Sequence, residues 1–312
     1  MVNRIIFAFT IVMTLTLVFP NMVYANNWPK LEFKSSLLNI SLPKGMYLGE
    51  VATVAINSKG NIFVFHRGRN QLLELDSNGK FIREIGENLF IVPHGLKIDK
   101  YDNIWTTDQE THQVIKFNPD GGVDLVLGRR NFGDLGVHER GYTVTHLNSP
   151  SDVAFDSQEN VYVADGFNFR IVKFDKNGEY IASWGKKGSK PGEFNFPHSM
   201  VVDENDILYV TDRENGRVQL FSVYGTFMEE WKNIGNPYLI YQSNKDTFWI
   251  TDARRGHLLK LNKKGVVIGS YGEWGKELGD FGYGHGIAFT KTHEILVSEI
   301  LNWRIQKLTP IN

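Results

Sequence analysis

Three histidines occupy the same position in a repeated sequence unit, and three imidazoles are enough to hold a metal ion. His94, His198 and His285 each stand second in copies two, four and six of a 25-residue unit. A catalytic zinc site uses three protein ligands and leaves a further position for water or substrate. The chain has no Cys, so any metal must be held by His or carboxylates. The spacing predicts a catalytic zinc site, and the alternative is three unrelated channel-lining side chains.

Two arginines share a second position of the unit, directly after its usual Asp. They are Arg67 in copy one and Arg213 in copy four. Guanidinium groups beside a metal suit recognition of a carboxylate or stabilisation of an oxyanion. The alternative is an ordinary ion pair with a carboxylate such as Glu214. We interpret the recurring Asp itself as structural, because Asp side chains can cap the turn that follows.

The repeated unit predicts the fold. Within a copy, alternating segments such as 161–164 and 171–174 are separated by turn-forming residues, a pattern typical of short antiparallel strands. Six such units predict an all-β, six-bladed β-propeller, with a solenoid as the alternative. We expect residues 31–42 to supply the last strand of blade six. The copies, and so the blade cores, cover residues 51–75, 93–117, 150–174, 197–221, 237–261 and 284–308.

A closed ring would bring these positions together. Blades two, four and six lie about 120° apart in a six-bladed ring, so their histidines would converge on the central channel. The other three blades place Ala52, Ser151 and Tyr238 at the same position. We interpret the remaining histidines as surface or packing residues, since they share no position in the unit: His66, His112, His138, His146, His257 and His293.

The first 25 residues have the features of a signal peptide. Arg4 precedes an apolar run over residues 5–19, and Val23-Tyr24-Ala25 suits a cleavage site. The run is short for a membrane span, which needs about 20 residues. We therefore expect a secreted or periplasmic protein with a single mature domain, residues 26–312, and no membrane insertion after cleavage. An uncleaved anchor helix is the alternative.

Charge and composition limit the partners. The 34 Lys and Arg nearly balance the 35 Asp and Glu, so nothing in the net charge of -1 favours nucleic acid. With 42% apolar residues the chain has enough material for a large core. We expect a monomer that acts on a small ligand or peptide.

Ten short runs carry a resemblance that goes beyond the repeat. They are His66-Arg67-Gly68, Pro93-His94-Gly95-Leu96, Trp105-x-Thr107-Asp108, His112-Gln113-Val114, Leu127-Gly128-Arg129, Ser151-Asp152-Val153-Ala154, Ala164-Asp165-Gly166, Arg170-Ile171-Val172, Pro197-His198-Ser199 and Asp212-Arg213-Glu214-Asn215-Gly216-Arg217. The units resemble NHL repeats, and the whole predicted mature chain resembles the peptidyl-α-hydroxyglycine α-amidating lyases.

The resemblance implies a reaction and a site. The family cleaves a peptide ending in α-hydroxyglycine to a peptide amide and glyoxylate, so the expected substrate is a peptide or small molecule with a terminal carboxylate. His94, His198 and His285 would hold zinc, which acts as a Lewis acid on the hydroxyl oxygen. Arg213 would lie near the reacting hydroxyl and Arg67 near the end of the substrate.

The chain departs from the family pattern at two positions. Phe167 replaces the family's catalytic Tyr, and Gly286 replaces an Asp tied to a structural calcium. The resemblance implies backbone carbonyls of Val51 and Leu96 as further calcium ligands, but two neutral carbonyls alone make a poor calcium site. The disulfides of the family are absent as well, since the chain has no Cys.

The loss of the family's Tyr leaves the catalytic base open. Tyr238, whose alternative role is channel packing, is the first candidate. Tyr283 is the second, and a hydroxide held by the metal is the third. The loss also favours a second hypothesis, a non-catalytic NHL propeller that binds a ligand or protein partner. A lactonase-type calcium hydrolase is disfavoured, because the channel position offers His rather than the Asp, Asn and Glu that calcium prefers.

Overall fold

A computed structural model describes residues 27–133 and 145–311. The predicted signal peptide, residues 1–25, and His138 lie outside the described residues. Within the described ranges, no helix is long and apolar enough to cross a membrane. The same ranges contain two short 3₁₀ helices, Gly166–Asn168 and Arg213–Asn215.

The described residues form twenty-four strands, numbered here in chain order. They are β1 (Phe33–Leu37), β2 (Val51–Ile56), β3 (Ile62–His66), β4 (Leu72–Leu75), β5 (Phe81–Glu84), β6 (Pro93–Ile98), β7 (Ile104–Asp108), β8 (Gln113–Phe117), β9 (Val123–Gly128), β10 (Pro150–Phe155), β11 (Val161–Asp165), β12 (Arg170–Phe174), β13 (Tyr180–Trp184), β14 (Pro197–Val202), β15 (Ile207–Asp212), β16 (Arg217–Ser222), β17 (Phe227–Trp231), β18 (Pro237–Asn244), β19 (Thr247–Asp252), β20 (His257–Asn262), β21 (Val267–Tyr271), β22 (Gly284–Phe289), β23 (Ile295–Glu299) and β24 (Arg304–Pro310).

The strands form six four-stranded antiparallel sheets, which are the six blades. Blades one to five take four consecutive strands each, beginning at β2, β6, β10, β14 and β18. The first strand of each blade packs against the first strand of the next, and β22 packs against β2, so the ring closes. The all-β, six-bladed propeller predicted from the repeats is therefore confirmed.

Blade six is completed by the N-terminal strand. β1 pairs antiparallel with β24, from Phe33 opposite Pro310 to Leu37 opposite Gln306. The strand that closes the ring thus lies inside the expected segment, residues 31–42.

Apolar residues from adjacent blades fill the space between the sheets. Phe65 of β3 and Phe117 of β8 both pack on Phe90, with ring centroids 4.8 and 6.1 Å apart. Strands that are covered on both faces bury nearly every residue, and β3, β7 and β11 are buried throughout. These second strands hold the first strand of each blade in place, and the first strands line the channel.

The recurring Asp position is structural, as expected, but capping of the following turn is found in only part of the ring. Asp108 accepts hydrogen bonds from the backbone N–H groups of Glu110 and Thr111, which is the predicted turn cap. Asp165 instead accepts from the N–H of Asn148 at 2.6 Å and from Arg170 Nε at 2.7 Å. The carboxylate in that blade therefore ties the second strand to the loop that enters the blade and to the third strand.

Candidate metal centre

The three histidines of the repeat converge on the channel because each stands at a bulge. The pairing register shifts directly after the first residue of each of the three strands: after Pro93 in β6, Pro197 in β14 and Gly284 in β22. Bulges re-aim side chains and are common next to functional sites. The bulge explains how a residue next to a paired strand position turns toward the channel axis.

The three histidine rings lie close together and are buried. Ring centroids lie 4.7 Å apart for His94 and His198, 4.8 Å for His94 and His285, and 5.0 Å for His198 and His285. One ring nitrogen from each histidine lies within 4.8 Å of the others. All three residues are at most 4% exposed. A single ion can therefore contact all three imidazoles.

Backbone carbonyls of the alternate blades orient the rings. The Nδ1 atoms of His94, His198 and His285 lie 2.7 Å from the carbonyl oxygens of Ser151, Tyr238 and Ala52, respectively. A carbonyl only accepts, so each Nδ1 carries the proton and donates it, and each Nε2 keeps a free lone pair. Metal-bound histidines commonly have such a partner on the second ring nitrogen. The odd-numbered blades thus contribute backbone where the even-numbered blades contribute side chains.

The electrostatics keep these histidines neutral. Burial and, to a smaller extent, the nearby Arg67 charge together lower the pKa of His285 to about 3. Burial also holds the pKa values of His94 and His198 well below the usual range, and the Arg213 charge contributes to both. Neutral imidazole is the form that binds metals.

A metal ion would also provide a partner for a buried polar atom that has none among the described residues. Nε2 of His198 is buried and has no hydrogen-bond partner among the described residues. A buried polar atom without a partner is destabilising unless a ligand takes its lone pair. The donor set, its protonation state and this unpaired atom together fit a metal ion.

The two predicted arginines border the same site. Arg67 Nε donates to the carbonyl of Pro93 at 3.1 Å. Arg213 Nε donates to Glu214 Oε1 at 2.7 Å, so the ion pair considered for this residue is present. The Arg213 guanidinium also lies 4.3 Å from the Phe196 ring centroid. In the described ranges the terminal nitrogens of both arginines make no hydrogen bond, which leaves them available to an anion.

Two tyrosines lie beside the histidines. Tyr238 is buried, with its ring centroid 5.1 Å from that of His198. Its hydroxyl accepts hydrogen bonds from the Tyr283 hydroxyl at 2.7 Å and from Arg254 Nε at 3.2 Å. Tyr283 stacks on His285 at an interplanar angle of 11°. Burial, together with the hydrogen bond to Tyr238, raises the pKa of Tyr283.

Arg254 is the site residue that the repeat pattern does not reveal. It stands two residues after Asp252, at a position where it is the one Arg among the six copies. Besides Tyr238, it contacts both carboxylate oxygens of Glu214, at 3.0 and 2.8 Å. Glu214 therefore bridges Arg213 and Arg254 at the mouth of the channel.

Phe167 lies at this mouth and carries no ionisable atom. It stands on the 3₁₀ helix after β11 and is 53% exposed. Its ring contacts Phe196 at a centroid distance of 5.1 Å, and Phe196 lies 5.8 Å from His198. The position that differs from the lyase pattern is thus separated from a candidate metal ligand by one aromatic ring, that of Phe196.

The residues implied for calcium do not fit that ion. A Cβ on Gly286 would fall 2.5 Å from Ser298 Oγ, so this strand has no space for a carboxylate side chain. Val51 and Leu96 are buried and offer only neutral carbonyls. Calcium takes six to eight oxygen ligands, usually with carboxylates among them. We therefore assign no calcium to these positions.

Comparison with known proteins agrees with the fold. A family described as a 6-bladed beta-propeller matches residues 145–296. Peptidyl-glycine alpha-amidating monooxygenase of Mus musculus is 38% identical over 185 residues, which cover 48% of this chain and 18% of that protein. Peptidyl-alpha-hydroxyglycine alpha-amidating lyase 1 of Drosophila melanogaster is 33% identical over 190 residues, covering 53% of this chain and 32% of the lyase.

Solved structures extend the match over nearly the whole chain. A streptogramin B lyase structure superposes with a TM-score of 0.65 at 16% identity, covering 89% of this chain and 98% of that one. At this identity the similarity concerns the fold. The sequence relatives share a larger fraction of residues with this chain. The matched segment, however, spans only 18% of the mouse enzyme. The chain is a six-bladed β-propeller, and about half of its sequence is similar to peptidyl-alpha-hydroxyglycine alpha-amidating lyase 1.

Proposed function

We propose that this protein is a zinc-dependent lyase that cleaves an α-hydroxyglycine-type carbinolamide to an amide and glyoxylate. The observation that carries the proposal is the cluster of His94, His198 and His285, with each Nδ1 held by a carbonyl and each Nε2 free. Homology to the amidating lyases supports the choice of reaction. The substrate is a peptide or small molecule that ends in a carboxylate.

The three histidines hold the zinc in this proposal. Three protein ligands leave a coordination position open, which is the property of catalytic rather than structural zinc sites. When bound, the metal supplies Lewis-acid polarisation of an oxygen atom of the substrate.

The remaining chemistry belongs to the side chains at the channel mouth. The reaction removes the proton of the substrate hydroxyl and turns the C–O bond into a carbonyl while the C–N bond breaks. The electron pair of that bond goes to the amide nitrogen, which takes up a proton. Terminal nitrogens of Arg67 bind the carboxylate, and Arg213 faces the hydroxyl oxygen. Tyr238 is our first candidate for the proton transfer, because its hydroxyl is fixed by Tyr283 and Arg254 beside the histidines.

The test is glyoxylate release from N-benzoyl-α-hydroxyglycine by purified protein supplied with zinc. We expect turnover by the wild type, loss of both zinc and turnover in His198→Ala, and no change in His293→Asn. His293 is exposed and has a positive φ of 63°, which Asn tolerates, so this control removes an imidazole far from the channel. Wild-type protein that holds one zinc per chain and releases no glyoxylate would contradict the proposal.

Phe167 favours a second function, a propeller that binds a ligand without turnover. The exposed ring cannot exchange a proton, whereas the lyase family places a Tyr there. In this case the zinc-loaded wild type would bind an N-acyl-α-hydroxyglycine without consuming it. Isothermal titration in parallel with the glyoxylate assay separates the two functions.

The proposal also covers where the protein acts and its oligomeric state. We propose that the chain is exported through the signal peptide at residues 1–25 and acts outside the cytoplasm as a monomer, without nucleic acid. N-terminal sequencing of the secreted or periplasmic protein tests this: a start near Asn26 supports it, and a retained N terminus contradicts it.

A further inference from the structure

Beyond the histidines, the inner strands of the six described repeat units carry an acidic and a basic side chain at two nearby unit positions. In the unit position after the histidine position, Asp152 is the one ionisable residue, and two positions later Lys97 is the one charged residue. Asp152 lines the same small cavity as His94 and His198. The two charges therefore lie directly behind the candidate metal centre.

These two side chains bind each other across neighbouring blades. Lys97 Nζ lies 3.3 Å from Asp152 Oδ2 and donates to the carbonyl of Met200 at 3.2 Å. The same carboxylate oxygen accepts from Ser199 Oγ at 2.7 Å and from the Met200 N–H at 3.0 Å. The network joins β6, β10 and β14, so it connects blades two, three and four.

A buried carboxylate requires a positive partner. Asp152 is only 4% exposed, and a buried charge that is left unpaired is strongly destabilising. A calcium ion would have to lie about 2.3–2.6 Å from a carboxylate oxygen. The ammonium group of Lys97 already stands beside that oxygen, and it would repel a second cation.

We infer that Lys97 is the resident cation of this half of the channel, and that this layer is complete without a divalent metal ion. The crowding around Gly286 is consistent with this assignment, because its strand has no space for the further carboxylate that a metal site would need. Lys97 in this role stabilises the ring, whether or not the protein catalyses the proposed lyase reaction.

The first test is calcium dependence of thermal unfolding. We expect zinc-loaded wild type to have the same Tm with excess calcium and with EGTA, and to contain no calcium by elemental analysis after purification. Calcium retained at one ion per chain, together with a Tm that falls in EGTA, would overturn the inference.

The second test removes the ammonium group. Lys97→Met keeps the apolar stem and leaves Asp152 uncompensated, so we expect Tm to fall by about 4–10 °C. The double variant Lys97→Met/Asp152→Asn should recover most of this loss, because it also removes the carboxylate charge. Lys307→Met is the matched control, since Lys307 pairs with Glu294 at 3.0 Å on the surface. Equal, small Tm changes in Lys97→Met and Lys307→Met would refute the role of Lys97.

Discussion

His66 should make the protein sensitive to acid independently of the metal site. It stands at the Asp position of blade one and is fully buried. Its Nδ1 accepts hydrogen bonds from the N–H groups of Gly49 at 3.1 Å and Gly68 at 3.0 Å. Protonation of Nδ1 would remove both bonds, and burial lowers the pKa of His66 from 6.5 to about 4.

The sign and size of the effect follow from this pKa. The unfolded chain takes up a proton near pH 6.5, whereas folded His66 resists protonation down to about pH 4. The stabilisation is thus present above pH 6.5 and is lost as the pH falls toward 4, in total about 3 kcal/mol. Between pH 7 and pH 4.5 the loss from this one residue is about 2 kcal/mol.

Urea unfolding at several pH values measures this loss. His66→Asn keeps an acceptor oxygen close to the position of Nδ1 but does not titrate. We expect the free energy of unfolding of the wild type to fall by about 2 kcal/mol more than that of the variant between pH 7 and pH 4.5. The histidines of the metal centre contribute equally to both proteins. Parallel pH profiles for wild type and variant would refute the reasoning.

Three further outcomes are expected. His198→Ala should lower zinc content to well below one ion per chain, measured by elemental analysis of the folded protein. Arg170→Met should lower the free energy of unfolding by about 3–5 kcal/mol, measured in urea, because it leaves the fully buried Asp165 without its partner at 2.7 Å. If Tyr238 transfers the proton, Tyr238→Phe should lower kcat for glyoxylate release by about 10²–10⁴-fold, whereas Tyr283→Phe should lower it less.

The parts of the structure that follow the repeat were predictable from sequence. Equal positions in equal blades must meet at the axis of a ring, and this is why His94, His198 and His285 could be placed together. The closing strand was predictable for a related reason, because a copy that ends at Leu308 needs a fourth strand from elsewhere.

The parts that depend on backbone or on single side chains were not predictable. The carbonyl of Ser151 that orients His94 has no sequence signature, because every residue type carries one. Arg254 was missed since its partners, Tyr238 and Glu214, come from two different blades. At Asp165, the expected turn cap was wrong because Asn148 and Arg170 take the carboxylate instead.

The metal centre can form only after blade six has closed the ring. The carbonyl that orients His285 belongs to Ala52, which lies 233 residues earlier in the sequence. β1 likewise cannot pair before β24 has been synthesised, so neither contact exists until the last blade is present. Contacts of such long range slow folding. A nascent or truncated chain would hold only two of the three imidazoles, and tight metal binding should appear late, as a signal that the ring is complete.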